Sequence, residues 1–172
     1  MMPQGGLMNT LIVYSSRCGY TGECAEIIRD ELGDDQFVMF TNIDSQDPPT
    51  VADYHRIIIG GSVRYGRVSR KLKRFMEDYR ALLLQREVGL FLTCLGPPET
   101  SQKTFSRVFT RDLREQAKAH CFAGGVADPK AFRPLIRGYL EKRFPSFDTR
   151  DHQALRTFAR QMKQVRKTPP AS

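Results

Sequence analysis

Apolar residues along the chain fall in short runs that alternate with segments of helical periodicity. Leu11–Tyr14 is a continuous apolar stretch of the kind buried on both faces of a sheet. Beyond it, Cys24, Ile27, Ile28 and Leu32 recur at helical spacing, and Gly33 suits the position that ends a helix. Phe37–Phe40 predicts a second strand, after which Asp47-Pro48-Pro49 breaks the chain. A third strand is predicted at Ile57–Ile59, ending in Gly60-Gly61-Ser62. Val68, Leu72, Phe75, Met76 and Tyr79 then mark one face of a helix. Val88–Leu95 predicts a fourth strand that ends at Gly96-Pro97-Pro98, and Phe105, Val108, Phe109 and Leu113 give another helical face. The fifth strand is predicted at Cys121–Val126, with Gly124-Gly125 inside it. Leu155, Phe158, Ala159 and Met162 place a last helix before a polar tail, Lys167–Ser172, expected to be disordered.

Five short strands separated by helices predict an α/β fold with a parallel sheet covered on both faces. Right-handed crossovers make it doubly wound. One segment is extra to that plan. In Pro129–Pro145, Phe132, Leu135, Ile136, Tyr139 and Leu140 form an apolar stripe, with Arg133, Arg137, Lys142 and Arg143 outside it. This reads as an inserted basic helix spanning about residues 129–147. Such a stripe commonly packs on its own domain; the alternative is a surface for an anionic membrane. A length of 172 residues suits one domain over residues 1–172, without internal repeat or low-complexity segment.

Hydrophobic content of 40% and charged content of 27% are ordinary for a globular protein. No apolar run reaches the length of a membrane span, and Met1–Met8 lacks the basic and apolar regions of a secretory signal. Cys18, Cys24, Cys94 and Cys121 form no C-x-x-C pair and no zinc-type cluster with histidine, so no metal is expected. The pattern is that of a reduced, cytoplasmic protein. The net charge of +8, with a pI near 9.6, points to an anionic partner: nucleic acid, a membrane surface or an acidic substrate. Nucleic acid is not expected, because the chain shows no aromatic–basic interleaving on a strand face and no known binding module.

In doubly wound sheets, ligands sit beyond the carboxyl ends of the strands. Three loops lie at such ends. Ser16-Arg17-Cys18-Gly19-Tyr20-Thr21 is small and hydroxyl-bearing and runs into a helix, an arrangement that suits an anion. It is neither the Walker A motif nor G-x-G-x-x-G, so a single phosphate fits better than a pyrophosphate. Ser16 and Thr21 could meet phosphate oxygens directly, although Thr21 could equally cap an ordinary helix. Cys18 is not a phosphatase nucleophile, since the position a C-x5-R loop gives to arginine is Cys24. In the second loop, Ser62-Val63-Arg64-Tyr65-Gly66, Tyr65 could cover a planar ring or simply stand exposed in a turn. The third loop, which contributes Cys94, Leu95 and Gly96, is generic turn chemistry made notable by its place.

Taken together, the three loops resemble the FMN site of the flavodoxin family. The Gly19-Tyr20-Thr21 ending matches that family's phosphate loop, and Tyr65 takes the position of its aromatic beside the isoalloxazine ring. The resemblance implies a flavodoxin-like five-stranded sheet in the order 2-1-3-4-5. It also implies FMN as cofactor, held by Ser16, Arg17, Cys18, Gly19, Tyr20, Thr21, Ser62, Val63, Arg64, Tyr65, Gly66, Cys94, Leu95 and Gly96. Ser-Ser-Arg-Cys-Gly-Tyr-Thr and Ile-Gly-Gly-Ser-Val-Arg-Tyr-Gly further resemble the loops of menaquinone-dependent protoporphyrinogen oxidases of flavodoxin type. Gly124-Gly125, the basic insertion and Asp148-Thr149-Arg150 match the same plan, whereas Cys18 stands where those enzymes carry an acid.

That resemblance implies an FMN-dependent oxidoreductase passing electrons from an acidic tetrapyrrole to a quinone. A general electron-transfer flavodoxin or quinone reductase, and a non-catalytic binding module, are the alternatives. Arg64, Arg67 and Arg70 would steer the acidic substrate, within a cationic run that continues through Lys71, Lys73 and Arg74. No side chain stands out as a protein acid or base, so no catalytic residue is assigned. His55, His120 and His152 are given no role.

Overall fold

The structure, a computed structural model, describes residues 8–16, 18–33, 36–96, 98–131, 133–143 and 146–164. Arg17, Phe132 and the tail from Lys167, singled out in the sequence, lie outside the described residues. The sheet is built from β1 (Met8–Ser15), β2 (Gln36–Asn42), β3 (Arg56–Ser62), β4 (Glu87–Thr93) and β5 (Ala119–Phe122). All adjacent strands pair in parallel, in the order β2-β1-β3-β4-β5. The expected doubly wound topology is therefore the observed one.

The three central strands have solvent-free apolar runs because helices cover both faces. One face packs Ile12, Ile58 and Phe91 against α1 (Tyr20–Leu32) and α7 (His152–Gln164), through Cys24, Ile28, Leu32, Leu155, Phe158 and Met162. The opposite face packs Leu11, Val13, Ile57, Ile59 and Leu90 under α2 (Arg70–Asp78), α3 (Arg80–Leu83), α4 (Pro98–Val108) and α5 (Arg111–Gln116). Alternate residues of each strand thus serve opposite layers, as the two-residue period of a strand requires.

Several boundaries differ from the sequence reading. The strand expected at Ile57–Ile59 continues to Ser62, because Gly60 and Gly61 pair with Tyr14 and Ser15 on one side and with Phe91 and Leu92 on the other. Gly60 is required by close approach: a Cβ there would lie 2.0 Å from Cζ of Phe91, whose ring crosses it. The helical face from Val68 to Tyr79 belongs to α2 with Tyr79 as its break, and Val68 precedes the helix. The face from Phe105 to Leu113 is split between α4 and α5, with Phe109 between them. The fifth strand ends at Phe122, not Val126.

Beyond β5 the chain leaves the sheet. Gly124 takes a positive φ of 66°, and a Cβ on it would sit 1.7 Å from the Thr149 carbonyl oxygen. Val126 bridges Asp148 antiparallel, the Ala127 amide donates to the Phe147 carbonyl (2.9 Å), and the Thr149 amide donates to that of Gly125 (2.8 Å). The insertion is thus an excursion on a two-armed stem. Its helix, α6 (Pro134–Arg143), buries no residue, and Leu135 is 90% exposed. The commoner fate of such a stripe, packing on its own domain, does not occur for Leu135, Ile136 or Tyr139.

At the other end of the sheet, Arg56 is fully buried and its guanidinium pairs with Glu87 Oε2 at 3.1 Å across β3 and β4. The same two residues are register partners, so the ion pair pins the alignment of the strands that carry the loops above.

Gly60→Ala is expected to destabilise the fold by about 1–3 kcal/mol through overpacking against Phe91. Urea unfolding of Gly60→Ala, Phe91→Leu and the double variant tests this. The double variant should cost less than the two single changes added together.

Candidate functional site

The first loop leaves β1 and enters α1 with Gly19 as N-cap at φ 90°. Among the described residues no side chain caps this helix N-terminus, and a Cβ on Gly19 would find nothing within 4 Å. The first amide taken up by the helix ladder here is that of Glu23, which donates to Gly19 O at 3.1 Å. The amides of Tyr20, Thr21 and Gly22 ahead of it have no acceptor within the helix and lie at its positive end, the donor arrangement that suits a phosphate.

The loop is held from outside its own sequence. Asn42, at the end of β2, accepts from the Ser16 amide at 3.3 Å and donates to the Ser16 carbonyl at 3.0 Å. Ser16 Oγ in turn accepts from the Gly19 amide at 3.1 Å. Asn42 was not legible as a site residue, because only the parallel pairing of β1 with β2 sets Tyr14 opposite it.

Thr21 lies inward. The residue is 2% exposed, and its hydroxyl shares a 2.8 Å hydrogen bond with the hydroxyl of Thr93, the last residue of β4. Tyr20 also points inward, donating its hydroxyl to the Ala123 carbonyl at 2.6 Å, and burial pushes its phenol pKa upward. Of the expected phosphate-loop residues, Ser16, Cys18 and Gly19 border open space, whereas Thr21 and Tyr20 anchor the loop from beneath.

The second loop is a two-residue hairpin. Arg64 and Arg67 exchange backbone hydrogen bonds of 2.8 and 3.0 Å, and both residues between them have positive φ, 51° at Tyr65 and 71° at Gly66. This is the twist of a type I′ turn, which suits glycine and strains tyrosine. Tyr65 keeps that conformation while 84% exposed, so nothing in its burial repays the strain. Arg64 reaches the first loop, with Nη2 at 3.7 Å from the Cys18 sulfur.

Thr93 joins the loops. Its side chain holds Thr21, its carbonyl accepts from the Val63 amide at 2.8 Å, and its peptide leads into Cys94. The Cys94 amide donates to Gly124 O at 2.9 Å, and a Cβ on Gly125 would lie 2.6 Å from the Leu95 amide nitrogen. Ser62, Val63, Cys94, Leu95 and Gly96 therefore form a continuous rim between the hairpin and the stem of the insertion. Asp148 and Thr149 belong to the second arm of that stem, and Asp148 holds Arg150 at 2.6 Å. His120 stacks on Phe105 with ring centroids 4.9 Å apart, on the α4 side of the sheet. Among the described residues, no cluster of histidine, cysteine and acidic groups could hold a metal.

The flavodoxin domain family matches residues 11–137. The chain belongs to that family. It is 25% identical over 128 residues to protoporphyrinogen IX dehydrogenase (quinone) of Leishmania major, covering 70% of this chain and 55% of the relative. It is 31% identical over 77 residues to the protein of the same name from Escherichia coli K12, covering 44% of this chain and 42% of the relative. The chain thus spans about half the length of the curated relatives it matches. Oxidised flavodoxin 1 from Bacillus cereus shares the fold, with a TM-score of 0.57 at 15% identity over 90% of this chain and 96% of that one. Family and relatives support a flavoprotein role in oxidoreduction or electron transfer.

Thr93→Val leaves the buried Thr21 hydroxyl without its partner and is expected to cost about 1–3 kcal/mol. In a urea-denaturation cycle, Thr21→Val/Thr93→Val should recover part of that loss. Alkylation followed by mass spectrometry should label the exposed Cys18 and spare Cys24 and Cys121, whose thiols burial pushes up to about 12.

Proposed function

We propose that the protein is an FMN-dependent oxidoreductase of the protoporphyrinogen dehydrogenase kind, passing electrons from a reduced acidic tetrapyrrole to a quinone. The observation that carries this reading is the convergence of the three strand-end loops: Thr93 joins Thr21 to Val63, and Arg64 bridges the hairpin to Cys18. The substrate and acceptor classes are suggested by the relatives, protoporphyrinogen IX dehydrogenases that use a quinone.

The residues fit a flavin mononucleotide. Uncapped amides at the start of α1, with Ser16, Arg17, Cys18 and Gly19, would hold the phosphate. Tyr65 would lie against the ring from one side, and the rim of Ser62–Gly66 and Cys94–Gly96 would border its other edges. The redox chemistry itself comes from the flavin when bound, which takes electrons from the substrate and yields them to the quinone. The chain contributes position and charge. Arg64 and Arg67 raise the local potential for an acidic substrate, and the Thr21–Thr93 bond keeps the phosphate loop at a constant height above the sheet.

Exposed Leu135, Ile136 and Tyr139 on α6, together with Arg133, Arg137, Lys142 and Arg143, favour a peripheral contact with an anionic membrane, where a quinone resides. No helix among the described residues is long and apolar enough to cross one.

Titration with FMN should quench flavin fluorescence, whereas riboflavin, which lacks the phosphate, should bind far more weakly. A protein that stays colourless and leaves added FMN unquenched would overturn the reading. Oxidation of protoporphyrinogen IX coupled to a menaquinone analogue separates it from a general quinone reductase, which would reduce the analogue without needing the tetrapyrrole.

A further inference from the structure

The Arg64–Arg67 hairpin has two sides. Arg64 faces the first loop at Cys18, while Arg67 lines an open cavity of about 740 Å³ together with Asp44, Val68, Ser69, Arg70 and Lys71. Asp44 lies in the turn after β2, so this cavity opens between the end of β2 and the start of α2, away from the rim at Cys94–Gly96. It is large enough for a drug-sized or tetrapyrrole-sized ligand.

The charges around the cavity are placed against the interests of the fold. Arg70, Lys71 and Lys73 occupy the start of α2, where the helix dipole disfavours cations, and Glu77 and Asp78 sit at its end, where it disfavours anions. Several arginines elsewhere on the surface do have acidic partners: Arg160 pairs with Glu31, Arg111 with Glu115 and Arg80 with Asp112. Among the described residues no acid pairs with Arg67, Arg70 or Lys71. Lys71 instead donates to the Asp44 backbone carbonyl at 3.4 Å, which holds its ammonium at the cavity. Among the described residues of the lining Asp44 is the single acid, against Arg67, Arg70 and Lys71, so they carry a net positive charge. An arrangement that local stability opposes, set in a cavity, is one a ligand completes.

We infer that this cavity is a carboxylate-recognition pocket, in which Arg67, Arg70 and Lys71 bind the acidic side chains of the substrate while its ring system reaches over the hairpin toward Tyr65. The inference rests on the functional reading above and names the residues that select the substrate by charge. Arginine suits the task because its planar fork pairs with a carboxylate through two hydrogen bonds. The hairpin then separates two anion sites, one for the cofactor phosphate at the first loop and one for the substrate carboxylates at α2.

The test is a fluorescence titration of the FMN-loaded protein with protoporphyrin IX and with its uncharged dimethyl ester, in nonionic detergent. The free acid should bind at least about tenfold more tightly than the ester. Arg67→Ala/Arg70→Ala should abolish that preference, whereas Lys73→Ala/Arg74→Ala, on the same helix but outside the lining, should keep it. FMN affinity should be unchanged in both variants. Equal binding of acid and ester, an equal loss in the control variant, or displacement by inorganic phosphate at the porphyrin's own concentration would overturn the pocket. Failure of the functional reading is scored separately in the same preparation, as loss of FMN binding or of protoporphyrinogen oxidation.

Discussion

One hydrogen bond organises the functional end of this molecule. The hydroxyls of Thr21 and Thr93 meet across the carboxyl edge of the sheet, out of contact with water. Through it the start of α1 is tied to the end of β4, although β3 lies between β4 and the strand that leads into α1. The Thr93 carbonyl then takes the Val63 amide, so the hairpin hangs from the same residue. A buried hydroxyl pair is costly to break, because either partner left alone forfeits its hydrogen bond without recovering water. The relative height of the first two loops is therefore set by a feature of the sheet edge, and the loops themselves are free to present amides, arginines and Tyr65 outward.

Further from the edge, the structure uses charge in two ways. Surface pairs such as Arg160 with Glu31 neutralise cations on the α1 and α7 side and contribute little individually to stability. Around the hairpin and α2 the cations stand without such partners and oppose the helix dipole. Part of the net charge of +8 thus stands without acidic partners among the described residues beside the loops that a flavin would occupy.

The fold was legible because each strand and helix carries its own period. Leu11–Tyr14 and Ile57–Ile59 read as buried from both sides, and Leu155, Phe158, Ala159 and Met162 as facing one layer; all but the half-buried Tyr14 are buried. Boundaries were less legible. Gly60 and Gly61 look like turn residues in isolation and are strand residues because Phe91 crosses one and both neighbours pair with both. Phe109 looks helical by spacing and sits at a break between two helices. The stripe on α6 carries the pattern of a packed helix, yet its stem holds it off the domain.

By itself the sequence determined the doubly wound class, the three loops at strand ends, and the presence of a basic insertion, because periodicity and turn chemistry are local properties. Which residues of those loops face a ligand was decided only by the tertiary structure. Thr21 reads as a phosphate contact and instead anchors to Thr93; Asn42 carries no signal and clamps Ser16. Both outcomes depend on partners 72 and 26 residues distant, brought together by the parallel pairing of the sheet. Orientation of a hydroxyl is settled by what stands opposite it, and that neighbour is not written next to it in the chain.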